Sequence, residues 1–296
     1  MDSSDLRVFE AVARLGGMNR AAQDLHTVQS NVTARIRQLE ESLGEQLFER
    51  HSRGASLTAA GRRLLPYAQR VALLLDEARR AVVDDGKPKG GLVIGSLETT
   101  AALRLSPLLL SFAQAHPAVD LVLRTGTSAE LVEMVLQQQV EGAFVSGPVQ
   151  HPQLEETTIF REELVVMTAP GCRSLADALR RDDMKIVVLR AGCSYRQRLE
   201  EVLIRRGVLH LRRLEFGTLE AIFACVAAGI GITLLPRALI GPVWREGRVA
   251  IHALPPADGR VETQFIRRRD ALSSSALNAF VDLARRSLPA QLEAAE

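Results

Sequence analysis

The sequence predicts an all-α module over roughly the first quarter of the chain and an α/β domain over the remainder, joined by a long helix. Three observations carry this. Apolar residues between positions 6 and 39 recur at helical spacing in three short runs separated by turn signals. From Leu64 to Val82 the apolar residues keep a repeat of four and three. Past a charged break over 84–91 that holds Pro88 and three glycines, apolar strands alternate with helical stretches, as in βα units on a sheet.

The first helix shows Leu6, Phe9, Val12 and Ala13 on one stripe and stops at Gly16-Gly17. Asn19 is expected to cap a second helix that buries Ala21, Ala22 and Leu25. His26-Thr27-Val28 makes a turn. The third helix buries Val32, Ile36 and Leu39, and its other face carries Gln29, Ser30, Asn31, Thr33, Arg35, Arg37 and Gln38. Leu47-Phe48, Arg50, Arg53, Gly54 and Leu57-Thr58 read as a hairpin over 48–57 with cationic flanks. Helix, helix, turn, helix and hairpin in this order describe a winged helix-turn-helix. A polar helix face fits the major groove, and a hairpin arginine lies along the backbone or in the minor groove. One such helix alone would merely meet water; the ordered set predicts contact with double-stranded DNA. The expected contacts are Gln29, Ser30, Asn31, Thr33, Arg35, Arg37, Arg50 and Arg53.

The formal net charge is only +2, and residues 1–86 hold twelve Arg against twelve Asp plus Glu. Attraction to a polyanion must therefore come from local clusters such as Arg50, Arg53, Arg62 and Arg63, not from bulk charge. The N-terminus begins polar and turns straight into a helix, unlike a secretory signal, and no apolar run reaches membrane length. Cys172, Cys193 and Cys225 form no CxxC and no paired framework, which predicts a cytoplasmic protein with reduced thiols. The six histidines are scattered, and the sequence predicts no metal site, cofactor or catalytic set.

Thr58 is expected to cap a helix running to about Val83, with Pro66 kinking or loosening an early turn. Its seam of Leu64, Ala68, Val71, Leu75, Ala78 and Val82 asks for a partner helix and predicts self-association; the competing reading packs it on its own module. Expected boundaries are 1–58 for the DNA module, 59–90 for the linker helix and hinge, and 91–296 for the α/β domain. Within the last, strands are expected at 92–95, 119–124, 143–145, 163–169, 186–189 and 230–235, with largely parallel sheets. Helices are expected at 101–115, 128–139, 196–206, 219–229 and 273–286.

Ligands in such folds lie at the carboxyl ends of strands, near helix N-termini. That rule selects Ser96, Thr99 and Thr100, then Gly126, Thr127 and Ser128, then Ser194 after Gly192-Cys193, and Thr218 after Gly217. Their hydroxyls and free backbone N–H groups suit an anion, although any one of them could simply cap its helix. Arg104, Arg124, Arg196 and Arg198 would favour an anionic ligand, whereas Glu98 and Glu220 would favour an amine, and the ligand charge stays open. Cys193, alone or with Cys225, offers an alternative: a thiol at a helix N-terminus, where pKa falls and reactivity rises.

The set Phe9, Ala13, Arg20-Ala21-Ala22, Leu25, Gln29-Ser30, Val32, Ile36, Leu39-Glu40, Leu43-Gly44, Leu47-Phe48, Arg50, Arg53, Leu57-Thr58 and Gly61 resembles the N-terminal domain of LysR-type transcriptional regulators in both identity and spacing. A weaker resemblance, including Val226–Ile232 and Leu234-Leu235-Pro236, runs over essentially the whole chain. It implies that positions matching Gln29, Ser30, Thr33 and the residue after it touch bases or nearby phosphates, and that the match to Arg53 serves the wing. It implies an effector-binding part of two periplasmic-binding-protein-like subdomains, I over 91–163 and 268–296 and II over 164–267, with the chain crossing near 163 and returning near 267. Segments matching Ser96–Thr100, Gly126–Ser128, Ser194 and Thr218 would line the cleft between them. The matching long helix pairs two subunits, so the expected partners are promoter DNA, a small-molecule effector and further copies of the chain, as a dimer and then a tetramer. Four positions depart from the pattern. Val28 replaces a capping Ser or Thr, at a cost of about 1 kcal/mol unless Thr27 supplies the oxygen. Ala34 replaces a long polar residue and can meet only a thymine methyl. Glu141-Gly142 stands where a hydrophobic residue and an Asp are usual. The expected function is ligand-responsive transcription regulation, with a thiol sensor at Cys193 as the alternative. An α/β enzyme with a DNA-binding appendage finds no nucleophile–base pair to support it.

Overall fold

In a computed structural model the chain forms two compact units, Met1–Asp85 and Gly86 onward. The structure describes residues 1–51, 54–180, 184–190, 192–208 and 210–286, with only the backbone at 50, 242 and 243.

In the first unit α1 (Ser3–Leu15) opens on a reciprocal cap. The Asp2 carboxylate accepts the N–H of Ser4 and Asp5, and the Asp5 carboxylate accepts the N–H of Asp2. It closes on Gly16 in the left-handed conformation. The next helix, α2 (Met18–Asp24), starts from Gly17 with no side-chain cap, so the cap expected from Asn19 does not form; Asn19 is already helical. The third, α3 (Gln29–Leu43), also lacks a side-chain cap at Val28. The Thr27 hydroxyl that might have replaced it instead accepts a hydrogen bond from Asn31 Nδ2 at 3.0 Å. Phe48–His51 (β1) and Gly54–Leu57 (β2) form the antiparallel hairpin, with Phe48 opposite Leu57. Glu40 ties α3 to it by accepting the N–H of Leu47 at 2.8 Å and of Phe48 at 3.3 Å. Gly54 is needed on two counts: its φ is +138°, and a Cβ there would stand 2.3 Å from the Gly16 carbonyl oxygen. Phe9, Val12, Ala21, Val32, Ile36 and Leu39 are fully buried, with the Phe9 and Phe48 rings 5.3 Å apart.

Thr58 caps α4 (Ala59–Val83) by accepting the N–H of Gly61 at 3.0 Å, and the helix runs on through Pro66. Its seam divides. Leu64, Ala68 and Val71 pack on the unit's own core. Further along, Leu74, Leu75, Val82 and Val83 are exposed, Val82 to 86%. The first half of the seam thus serves the unit's own core, and the second half leaves its apolar residues on the surface.

The second unit runs β3 (Gly90–Ser96), α5 (Glu98–Thr100), a wider π turn (Ala101–Leu105), α6 (Ser106–Ala115), β4 (Val119–Thr125), α7 (Ser128–Leu136) and β5 (Gly142–Ser146). Next come the long β6 (Leu154–Thr168), α8 (Leu175–Leu179), β7 (Lys185–Leu189), α9 (Ser194–Arg205), β8 (Arg212–Phe216), α10 (Leu219–Ala227) and β9 (Thr233–Pro236). The unit closes with α11 (Arg237–Arg245), β10 (Ala250–Ala253), α12 (Pro256–Gly259), β11 (Arg260–Arg268) and α13 (Ser275–Arg286). Two parallel nuclei stand out: β4, β3 and β5 in one, β7 and β8 in the other. The sheets as a whole are mixed and not largely parallel. The reason is that β6 and β11 carry the chain between the nuclei. β11 runs antiparallel to both β5 and β6, and the second half of β6 runs antiparallel to β9 and β10. β11 already pairs with β5 from Thr263, a few residues before the return expected near 267.

Each nucleus has its own core. Leu92, Ile94, Phe112, Phe144, Phe160 and Phe280 fill the first, and Val165, Val187, Leu199, Ile222 and Leu235 the second. The crossing strands are braced by charge. Arg104 grips Glu162 with two hydrogen bonds, 2.7 and 2.9 Å, with both side chains largely buried. Arg237 grips Glu163 in the same way, and Arg161 meets Glu262 at 3.0 Å.

Candidate DNA-binding face and ligand cleft

The buried stripe of α3 fixes the rotation of that helix. With Val32, Ile36 and Leu39 locked inside, Gln29, Ser30, Asn31, Arg37 and Gln38 point to solvent and Thr33 is half-buried. Among the described residues Arg37 makes no ion pair. Arg35 is committed differently. Its Nη1 lies 3.1 Å from Oδ1 of Asp5, whose side chain is 4% exposed, so this guanidinium clamps α3 onto the start of α1. Val28 and Ala34 are both exposed beside the polar residues. Arg50 pairs with Ala55 through its backbone, while its side chain and the whole of Arg53 lie outside the described residues.

In the second unit two walls approach one another. Leu97, Glu98, Thr99, Thr125, Gly126 and Thr127 come from the first subdomain; Leu189, Arg190, Cys193, Ser194, Tyr195, Phe216 and Gly217 come from the second. Of the residues expected there, Thr99, Gly126, Thr127 and Ser194 meet in this cleft. The others do local work. Ser96 is fully buried and its hydroxyl donates to the Leu97 carbonyl. Thr100 is buried, Ser128 accepts the N–H of Ser146, and Thr218 caps α10 by accepting the N–H of Ala221. The expected arginines are also spent elsewhere. Arg104 is held by Glu162; Arg196 by Glu200 and Glu215; Arg198 by the carbonyls of Asp258 and Arg260; Arg124 stands exposed on edge strand β4.

The cation that does reach the cleft is Arg190, which sequence reasoning passed over. It directly follows the last residue of β7, so the carboxyl-end rule contained the signal. Arg190 Nη2 lies 3.6 Å from Oε2 of Glu130 on the opposite subdomain. Glu130 in turn completes the cap of α7, accepting the N–H of Thr127 at 2.8 Å, and this bond holds its carboxyl below the usual range. Glu98 is pushed the other way, first by burial and then by Glu220, with Arg190 opposing both. The apolar wall of Leu97, Leu189, Tyr195 and Phe216 had no sequence signal of its own.

The cleft is nearly shut, with a cavity of ≈ 40 Å³. Tyr195 is buried; burial pushes the pKa of its phenol up, while the Thr99 side chain on the opposite wall acts the other way. A Cβ on Gly192, whose φ is +92°, would come within 2.9 Å of the Thr127 hydroxyl, so the walls touch there because the residue is glycine. The Ser194 hydroxyl oxygen is sealed from solvent and has no hydrogen-bond partner. Cys193 does not behave as expected for a thiol at a helix start. Burial dominates and pushes its pKa up, although the N–H groups of Tyr195 and Arg196 pull it down. A more open cavity of ≈ 440 Å³ draws all its residues, among them Thr168, Cys172, Met184 and Ile232, from the second subdomain, so filling it would not set the angle between the two. Among the described residues no His, Cys, Asp and Glu cluster could hold a metal ion, and no helix is long and apolar enough to cross a membrane.

Residues 3–62 match the model of the bacterial regulatory helix-turn-helix proteins of the lysR family, and residues 85–289 match the LysR substrate binding domain. The chain is 46% identical over 282 residues to the uncharacterized HTH-type transcriptional regulator YusT of Bacillus subtilis (strain 168), covering 95% of each chain. To the transcriptional regulator GltR of the same organism it is 42% identical, covering 93% of each. Among solved structures it resembles the LysR family regulator CbnR in complex with its target DNA, with 26% identity and a TM-score of 0.66, covering 97% of this chain and 100% of that one. Full-length OxyR of Pseudomonas aeruginosa shares the fold at a TM-score of 0.71 and 19% identity, covering 97% of this chain and 94% of that one. With both of its units matched, the chain is a member of the LysR family of bacterial transcriptional regulators.

Proposed function

We propose that this regulator reads promoter DNA through the solvent face of α3 and that a small molecule in the cleft between the two subdomains modulates the reading. Residues 1–58 would do the reading, 59–90 the pairing of copies, and the rest the sensing, in the cytoplasm where the DNA is. Gln29, Ser30, Asn31 and Thr33 would address base edges and nearby phosphates, and Arg37, Arg50 and Arg53 the backbone. The observation that carries this is that Gln29, Ser30, Asn31, Arg37 and Gln38 are exposed on one face of α3 while Val32, Ile36 and Leu39 are locked in the core. Arg35 supports the reading from behind, by fixing the helix through Asp5.

A second copy would cover the exposed apolar end of α4, giving two reading helices for a two-fold site, and the family resemblance extends this to a tetramer. In the cleft, Thr99, Thr127 and Ser194 supply hydroxyls to an effector that must part the walls to enter. Parting them would strain the Tyr195–Thr99 and Arg190–Glu130 contacts, so occupancy would change the angle between the subdomains.

Selection from a random-sequence duplex pool tests the first half. Wild-type protein should enrich a defined sequence, and Gln29→Ala should lose about 1–3 kcal/mol of discrimination at one position of it. Enrichment of the same sequence with unchanged stringency by Gln29→Ala would overturn the assignment.

A further inference from the structure

The walls of the cleft carry charges of both signs, and their arrangement narrows what can bind. Glu98 stands half-buried in the cleft wall of the first subdomain, and the like charge of Glu220, on the first turn of α10, adds to the burial that raises its pKa. Arg190 enters from the end of β7, in a half-exposed contact of 3.6 Å with Glu130. Beside it, at the start of α9, lies the Ser194 hydroxyl, buried and without a partner. Among the described lining residues Glu98 is thus the acid and Arg190 the base, with Glu130 beside Arg190. A ligand carrying only negative charge would add to a repulsion that already weighs on Glu98. A simple amine would leave Arg190 and the orphaned hydroxyl unused. Apolar side chains, among them Leu97, Leu189 and Phe216, surround the remaining space, which is ≈ 40 Å³ before the walls part.

We propose that the cleft takes a small zwitterion of the α-amino-acid kind, its ammonium group on Glu98, its carboxylate on Arg190 and Ser194, and a short apolar side chain against the wall. This rests on the reading of the cleft as the effector site. The buried hydroxyl and the opposed charges are then complementary to one molecule, and neither is left desolvated without compensation.

The test uses the full chain and titration calorimetry with the twenty L-amino acids, followed by one-charge analogues of whichever binds; for valine these are isovalerate and isobutylamine. At least one small apolar amino acid should bind, and each analogue should bind about tenfold more weakly or worse, as expected for losing one charged hydrogen-bonded group. Glu98→Gln should remove the preference for the amino acid over isovalerate. Ser194→Trp, which fills the cleft, should abolish binding, with thermal unfolding verifying that each variant is folded. Binding of isovalerate or isobutylamine as tight as that of the amino acid overturns the ligand class, and if Ser194→Trp abolishes that binding the cleft reading survives. Amino-acid binding that Ser194→Trp leaves untouched overturns the cleft reading as well. Failure of all twenty to bind overturns the proposal.

Discussion

The DNA-facing surface and the cleft are built by opposite strategies. The first lies on one continuous helix: α3 buries every third or fourth residue and offers the rest to solvent. The second is gathered from segments far apart in the chain, near residues 97, 126, 190, 194 and 217, and is almost closed. On α3 Gln29, Ser30, Arg37 and Gln38 stand exposed, while Arg35 and Glu40 tie the helix to its neighbours. In the cleft the polar groups are engaged with one another across a gap that must open. A reading surface has to be in place before its target arrives, whereas a sensing site has to have two states. The difference teaches that exposure marks the first kind of site and unresolved tension between buried groups the second.

The comparison predicts that the two sites fail independently. Ile36→Ala removes a fully buried side chain behind the reading face and should cost the first unit about 2–5 kcal/mol. Calorimetry should show its transition moving down and DNA binding lost, while the transition of the second unit stays where it was. A joint fall of both would break the separation. Arg35→Ala should cost about 1 kcal/mol, because it strips a buried carboxylate of a half-exposed partner. Chemical denaturation reads that loss, and an unchanged midpoint would return Arg35 to the pool of free DNA-facing cations. The smallest effect belongs to Glu98→Gln. Burial and Glu220 raise the Glu98 pKa, so its contribution to stability is full below its unfolded pKa and is lost as pH rises through the folded value. The variant should therefore be slightly more stable than wild type at pH 7, and that difference should vanish as the pH falls through the carboxylate range. Lower stability of the variant at pH 7 would contradict the strain assigned to the cleft.

What could be read ahead of the coordinates follows the same division. The reading helix and hairpin were legible because their determinants are local: a four-three stripe for α3, and glycine and hydroxyl punctuation around β1 and β2. Asn19 does not cap α2 because Gly17, two residues closer to α1, already holds the cap position. In the second unit the parallel nuclei were visible as apolar runs. The polar first half of β6 and all of β8, β10 and β11 were not, since their pairing partners lie far away in sequence. Arg104 looked like a candidate ligand arginine for the same reason. Nothing near it announces Glu162, which comes from a strand 58 residues later. Position after strands selects Thr99, Thr127 and Ser194, which line the cleft, and equally Ser96 and Thr218, whose hydroxyls bond their own backbone.

The most direct test of the central claim is the salt dependence of DNA affinity for wild type and Arg37→Ala, using the sequence enriched from the duplex pool. If α3 lies on the duplex with Arg37 on a phosphate, the slope of log affinity against log salt should become shallower by about 0.9 in the variant. Identical slopes for the two proteins would contradict the placement of this helix face on DNA.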